Sequence, residues 1–109
     1  MGLMNYTSTR LQVLLSDNIG GIPMESRNSC RVCGYNLPEP PWDESKEFPS
    51  WQICSSCGAE AGIDDCDLES IRQYRHGWLL EDCPWFDPEL MPVDWTWDCQ
   101  KKQIPAEWK

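Results

Sequence analysis

The sequence predicts a small α+β fold in which two tight cysteine turns precede one helix and a tail rich in Trp and Pro. Its 109 residues correspond to one domain, and a domain of this size buries only a limited part of its surface. Seven Trp and seven Cys residues are the expected supplement to the core, as large aromatic groups and as metal ligands or crosslinks. We divide the chain into an N-terminal leader, residues 1–29, and a domain, residues 30–109.

The leader contains one weak helical signal. Thr7, Ser8 or Thr9 can cap a short helix over residues 10–15, and Gly20-Gly21 then breaks it. The sequence has neither the pattern of a signal peptide nor an apolar stretch long enough to span a bilayer. We therefore expect a cytoplasmic protein, and in that compartment paired cysteines bind metal more often than they form disulfides.

The two cysteine turns carry the strongest signal. Cys30 and Cys33 form one Cys-x-x-Cys pair, and after a spacer of twenty residues Cys54 and Cys57 form the second. A glycine follows each pair directly, which permits a positive φ and lets amide N–H groups point at the sulfur atoms. Four thiolates in this pattern can surround one tetrahedral ion, so we predict a zinc ribbon with two Cys-x-x-Cys-Gly knuckles. The alternatives are two disulfides or a redox motif, although a redox motif needs a βαβ context that neither pair has.

Zinc is the default ion for a closed set of four thiolates, and iron is the alternative. The stretches Cys30-Arg31-Val32-Cys33-Gly34-Tyr35 and Cys54-Ser55-Ser56-Cys57-Gly58 are similar to the metal-binding turns of rubredoxins. That resemblance implies an iron site that carries an electron. The segment between the pairs is shorter here and a long acidic, Trp-rich region follows, so zinc is the first expectation.

Three further cysteines, Cys66, Cys83 and Cys99, each follow an aspartate. A neighbouring negative charge disfavours the thiolate, so we expect buried, unreactive free thiols and no catalytic site. The alternatives are a Cys83–Cys99 disulfide in an oxidising compartment and a Cys66–His76 pair that acts as nucleophile and base.

Residues 64–80 have the clearest helical pattern. Asp65 or Asp67 can cap this helix, and Ile71 and Trp78 recur at the spacing of a single helix face. Residues 81–109 contain four Trp and four Pro, which predict an extended or turn-like tail wrapped over the core.

The net charge of the chain argues against some classes of function. Eighteen acidic and nine basic residues give a net charge of −9, which argues against binding to nucleic acid or to an anionic membrane. Eleven acidic residues and two arginines lie between Glu60 and Asp98. A solvated surface is the simpler explanation, and a docking surface for a basic protein is the sharper one. The predicted docking residues are Trp85, as an apolar anchor, with the carboxylates Asp64, Asp65, Asp67, Glu69, Asp82, Asp87 and Glu89.

The chain resembles small bacterial cysteine-rich proteins related to the CPCC group. The matching stretches are the two cysteine turns, Pro41-Trp42, Pro49-Ser50, Asp64-Asp65 and Glu69-Ser70-Ile71-Arg72. The resemblance covers residues 30–80, with Cys-Arg-Val-Cys here in place of Cys-Pro-Cys-Cys. It implies a small binding module, similar in some members to immunity proteins of bacterial toxin systems. We therefore expect a non-enzymatic zinc protein that binds and neutralises a basic toxin, with a rubredoxin-like electron carrier as the alternative.

Overall fold

A computed structural model describes residues 27–109, and the helix expected at residues 10–15 of the leader lies outside the described residues. Backbone pairing in the described part is limited to three isolated antiparallel bridges. They join Ser29 to Asn36, Trp42 to Pro49, and Ile53 to Glu60. Within residues 27–109 no strand is longer than a single bridge, although the sequence predicts an α+β fold. Pro38, Pro40, Pro41 and Pro49 have no N–H to donate, so the ladders beside the loop cannot extend.

Helix α1 spans Leu68–Leu80 and lies within the predicted range. Asp67 is the N-cap, and its side chain accepts a hydrogen bond of 2.8 Å from the Ser70 N–H. The helix buries Ile71 and Trp78. It ends where Asp82 and Cys83 adopt left-handed conformations, with φ of 69° and 54°, which reverse the chain direction.

The tail consists of short turns of helix rather than extended chain. A 3-10 turn covers Pro88–Leu90, helix α2 covers Trp97–Gln100, and two more 3-10 turns cover Lys101–Gln103 and Ala106–Trp108. The Thr96 side chain caps α2 by accepting from the Cys99 N–H. Pro92 separates the first turn from α2, and Pro105 separates the last two 3-10 turns, so the tail bends repeatedly.

The core consists of the four paired cysteines, a few aliphatic side chains and a chain of aromatic rings. Tyr35, Trp85, Trp95, Trp78 and Trp97 contact one another in that order, edge to face, with ring centroids 5.3–6.5 Å apart. Such pairs contribute about 0.5–1.5 kcal/mol each beyond their area burial. The indoles of the helix and the tail thereby fix the tail against the cysteine turns.

Candidate metal centre

The four predicted ligands meet at one point. The Sγ atoms of Cys30, Cys33, Cys54 and Cys57 all lie within 4.8 Å of one another. The distance is 3.7 Å from Cys30 to Cys57 and 3.6 Å from Cys33 to Cys54. A disulfide bond is about 2.05 Å long, so these are four separate thiols. Zinc–sulfur bonds of about 2.3 Å in a tetrahedron place sulfur atoms about 3.8 Å apart, so the cluster has the size of a tetrahedral thiolate site.

The two turns that carry these ligands have the same backbone geometry. In each, the first cysteine donates its N–H to the carbonyl five residues later, and the glycine donates to the first cysteine, all at 2.9 Å. Gly34 and Gly58 adopt φ of 86° and 81°, a region that L side chains rarely occupy. At Gly34 a Cβ atom would also lie 2.7 Å from the Gln100 carbonyl oxygen, so the tail backbone rests directly on the first turn.

The cluster is closed to solvent, since each of the four cysteines is at most 5% exposed. Burial raises the pKa of Cys33 and Cys57 well above the usual range of a thiol. Hydrogen bonds from the other three thiols lower the pKa of Cys54. Four buried thiolates need a central cation to offset their repulsion and desolvation. The donor set fits a soft divalent ion, and it fits zinc and iron alike.

Two arginines attach the first turn to the helix and the tail. Arg75 of α1 donates to the carbonyls of Val32, Arg31 and Trp108 at 2.6–3.0 Å. Arg31 is 6% exposed, and its guanidinium lies between the rings of Trp42 and Trp108, 4.3 and 4.1 Å from their centroids. Burial lowers the pKa of Arg31, and the stacked rings and neighbouring carboxylates offset part of that cost. Sequence reasoning missed both residues, because an arginine in a turn or on a helix has no local mark of burial.

Gln100 of α2 connects the two cysteine turns to each other. Its side chain, in a residue 4% exposed, donates to the Cys33 carbonyl at 3.3 Å and to the Ser56 hydroxyl at 3.0 Å. The Oε1 atom of the same side chain accepts from the Trp95 indole N–H at 2.7 Å. Every polar atom of the side-chain amide therefore has a hydrogen-bond partner. The contact with Cys33 joins residues that are 67 positions apart in the sequence. No pattern within the sequence indicates this contact.

The second turn is fixed by a separate set of contacts. Tyr74 of α1 donates its hydroxyl to the Cys57 carbonyl at 2.9 Å, and burial raises the pKa of Tyr74 to about 12. Just after the helix, the N–H groups of Phe86 and Asp87 donate to the Ser56 and Ser55 carbonyls at 3.0 and 2.9 Å. Helix and tail thus hold both turns in place around the thiols.

Two of the predicted docking residues are internal, which corrects their assignment. Trp85 is 8% exposed and packs between Tyr35 and Trp95, so it is a core residue and not a surface anchor. Asp65 is 3% exposed, and its carboxylate accepts from the Gly62 N–H and the Trp42 indole at 2.8 and 3.1 Å. The other six carboxylates are exposed or half-buried: Asp64, Asp67, Glu69, Asp82, Asp87 and Glu89.

The three remaining cysteines are free thiols, as predicted, but their burial differs from the prediction. Cys66 and Cys99 are exposed, and Cys83 is half-buried. The prediction of burial was wrong for the two exposed thiols because an adjacent aspartate affects thiol ionisation without burying the side chain. Cys66 donates its Sγ–H to the Gly62 carbonyl at 3.1 Å.

No family model matches the chain, and no curated protein or solved structure matches it. The resemblance to the CPCC group therefore stays a prediction. Within residues 27–109, no helix has both the length and the apolar character needed to cross a membrane.

Proposed function

We propose that this protein is a non-enzymatic zinc ribbon whose metal organises a small scaffold for binding another protein. The observation that carries the proposal is the closed group of four buried thiols contributed by Cys30, Cys33, Cys54 and Cys57. A site with four protein ligands has no open coordination position for substrate, so the ion acts as a structural crosslink. Zinc has no redox chemistry, and its binding would supply folding free energy to a domain with little regular structure.

The partner in this proposal is a basic protein in the cytoplasm, and a toxin neutralised by an immunity protein is one such partner. The support is the net charge of −9 together with exposed carboxylates at Asp67, Glu69, Asp82 and Glu89. Exposed carboxylates attract a cationic protein at long range and raise its association rate.

Metal analysis of the purified protein tests the metal half of the proposal. We expect one zinc per chain and no visible absorption. Cys33→Ser should lose the metal and loosen the fold, whereas Cys99→Ser, a change of an exposed thiol outside the cluster, should keep both. A coloured protein with stoichiometric iron would establish the electron-carrier alternative instead. A folded protein without either metal would contradict the site altogether.

Capture from the native host tests the partner half. Protein loaded with zinc should retain a basic partner, identified by mass spectrometry, and protein stripped by a chelator should release it. If the stripped protein binds the same partner equally well, the metal does not organise the binding surface.

A further inference from the structure

Large apolar side chains are exposed on two paired segments outside the second cysteine turn. Phe48, Trp51, Ile53 and Ile63 are 67%, 57%, 46% and 61% exposed. Their segments are joined by the bridge between Ile53 and Glu60 and by a hydrogen bond of 3.0 Å from the Ala61 N–H to the Gln52 carbonyl. These four residues are called the Trp51 face below. Large apolar side chains exposed together on neighbouring segments are typical of an interaction surface.

Trp51 combines an exposed side chain with a strained backbone. Its φ is 64°, a conformation that is an outlier for a bulky residue and costs about 1–3 kcal/mol. The indole lies against Gly62, where a Cβ atom would come within 2.6 Å of the ring. The six other Trp residues are buried or half-buried. Trp51 is thus the indole available to a partner, in the role that the sequence assigned to Trp85, and Trp is one of the residue types enriched at binding hot spots.

The charges around the Trp51 face are negative. Glu47 precedes Phe48, Glu60 pairs with Ile53, and Asp64 follows Ile63. The single cation in residues 38–64, Lys46, binds Glu107 at 3.1 Å.

The Asp43 carboxylate accepts from the Phe48 and Glu47 N–H groups at 3.1 Å, and these hydrogen bonds lower its pKa, so its charge persists into acid. A second copy of this chain would bring carboxylates against carboxylates, which opposes pairing of two such faces.

We propose that the Trp51 face docks a protein segment in which Lys or Arg side chains surround a large apolar residue. The apolar residue would pack on the indole, and the cations would meet an acidic rim that consists of Asp43, Glu47, Glu60 and Asp64. This inference rests on the proposed interaction function and names its surface and the chemistry of its partner.

Selection of a random-peptide phage library on the full-length, zinc-loaded protein tests the proposal. We expect enriched peptides that combine Lys or Arg with a large apolar residue. For a synthetic copy of the best peptide, Trp51→Ala should weaken binding at least about tenfold, as for a hot-spot residue. Leu80→Ala, a matched change of a side chain that is 74% exposed at the end of α1, should leave binding unchanged. Glu47→Lys should weaken binding and reduce its salt dependence.

Zinc content and circular dichroism of each variant separate loss of binding from loss of fold. If Trp51→Ala does not fold, Glu47→Lys alone decides the matter. The proposal is wrong if the enriched peptides carry no net positive charge, if no peptide is enriched, or if the folded variants bind as tightly as the parent. It is also wrong if the parent sediments as a dimer that Trp51→Ala dissociates, because the face would then bind a second copy. Metal content decides the zinc site separately from all of these outcomes.

Discussion

Replacing Gln100 by Leu should loosen both the fold and the metal site. Leu has a similar volume but makes none of the three hydrogen bonds of the amide. The Cys33 carbonyl and the Ser56 hydroxyl would lose this donor, and both residues are 0% exposed. A buried polar group without a partner costs about 1–3 kcal/mol, so two such groups give an expected destabilisation of about 2–6 kcal/mol. For a domain of this length the melting temperature should fall by roughly 10 °C or more.

The same change should accelerate loss of zinc. In the proposed site the ion would be shared between the two turns, so it would leave when the turns separate, and Gln100 bridges them. Each 1.4 kcal/mol corresponds to about a tenfold change, so release to a chromogenic chelator should become at least about tenfold faster. Gln103→Leu is the matched control because Gln103 is exposed in the same tail.

Ser56→Ala provides a milder variant that removes one acceptor of the amide. In a double-mutant cycle its effect and that of Gln100→Leu should be less than additive, because both delete the same hydrogen bond. The reasoning fails if Gln100→Leu matches Gln103→Leu in both melting temperature and rate of zinc release.

Three further predictions follow from single contacts. Gly34→Ala should destabilise the fold by at least about 1 kcal/mol, because φ is 86° and the new Cβ would lie 2.7 Å from the Gln100 backbone carbonyl oxygen. Gly77→Ala, in open space on α1, should stabilise the fold by about 0.5–1 kcal/mol. Urea denaturation that ranks the two variants in the opposite order would refute this prediction. The Tyr74 phenol has a raised pKa of about 12, so its contribution to stability should be complete below pH 10 and lost as pH rises through 12, and absorbance titration of Tyr74→Phe should lack this component. Arg31→Lys should cost about 1–3 kcal/mol in the same denaturation assay because an ammonium cannot stack between two indoles, and an unchanged midpoint would show that the stacking is not stabilising.

The features that the sequence predicted well are those fixed by local geometry. The two cysteine turns are specified by residues within six positions of each other, and each glycine takes the positive φ that its place requires. The N-cap of α1 is Asp67, one of the two aspartates that the sequence offered, and its side chain accepts the N–H of Ser70 three residues later. Neither feature depends on where the rest of the chain lies.

The features that it missed depend on contacts between distant segments. The sequence does not show which of Trp85 and Trp51 is exposed. In the structure Trp85 is buried between Tyr35 and Trp95, whereas Trp51 lies against Gly62 and is exposed. Asp65 was predicted to belong to the acidic docking surface, and a carboxylate is costly to bury. Its burial is tolerated because the Trp42 indole and a backbone N–H both donate to it, and the indole comes from a residue 23 positions away.

Aspartates and glutamates have different roles around the Trp51 face. Asp43 and Asp64 accept backbone N–H groups within five residues, at 2.9–3.1 Å, and so fix the turns that shape the face. The shorter aspartate side chain reaches its own backbone, whereas that of glutamate extends further into solvent.

Charge reversal at these carboxylates can weaken binding in two ways, by loss of a turn contact or by loss of negative charge, and mutations can separate the two. Reversal of Asp43 or Asp64 removes a turn contact together with a charge, so a loss of binding in such a variant would not identify the cause. Reversal of Glu47 or Glu60 changes the field at the face while their neighbours keep the turn hydrogen bonds. If the acidic rim is only solvated surface, lysine at these two glutamates should leave binding unchanged and stability the same or higher, because repulsion within the rim is relieved. If the rim attracts a basic partner, the same two changes should weaken association at low salt in a protein that is no less stable than the parent.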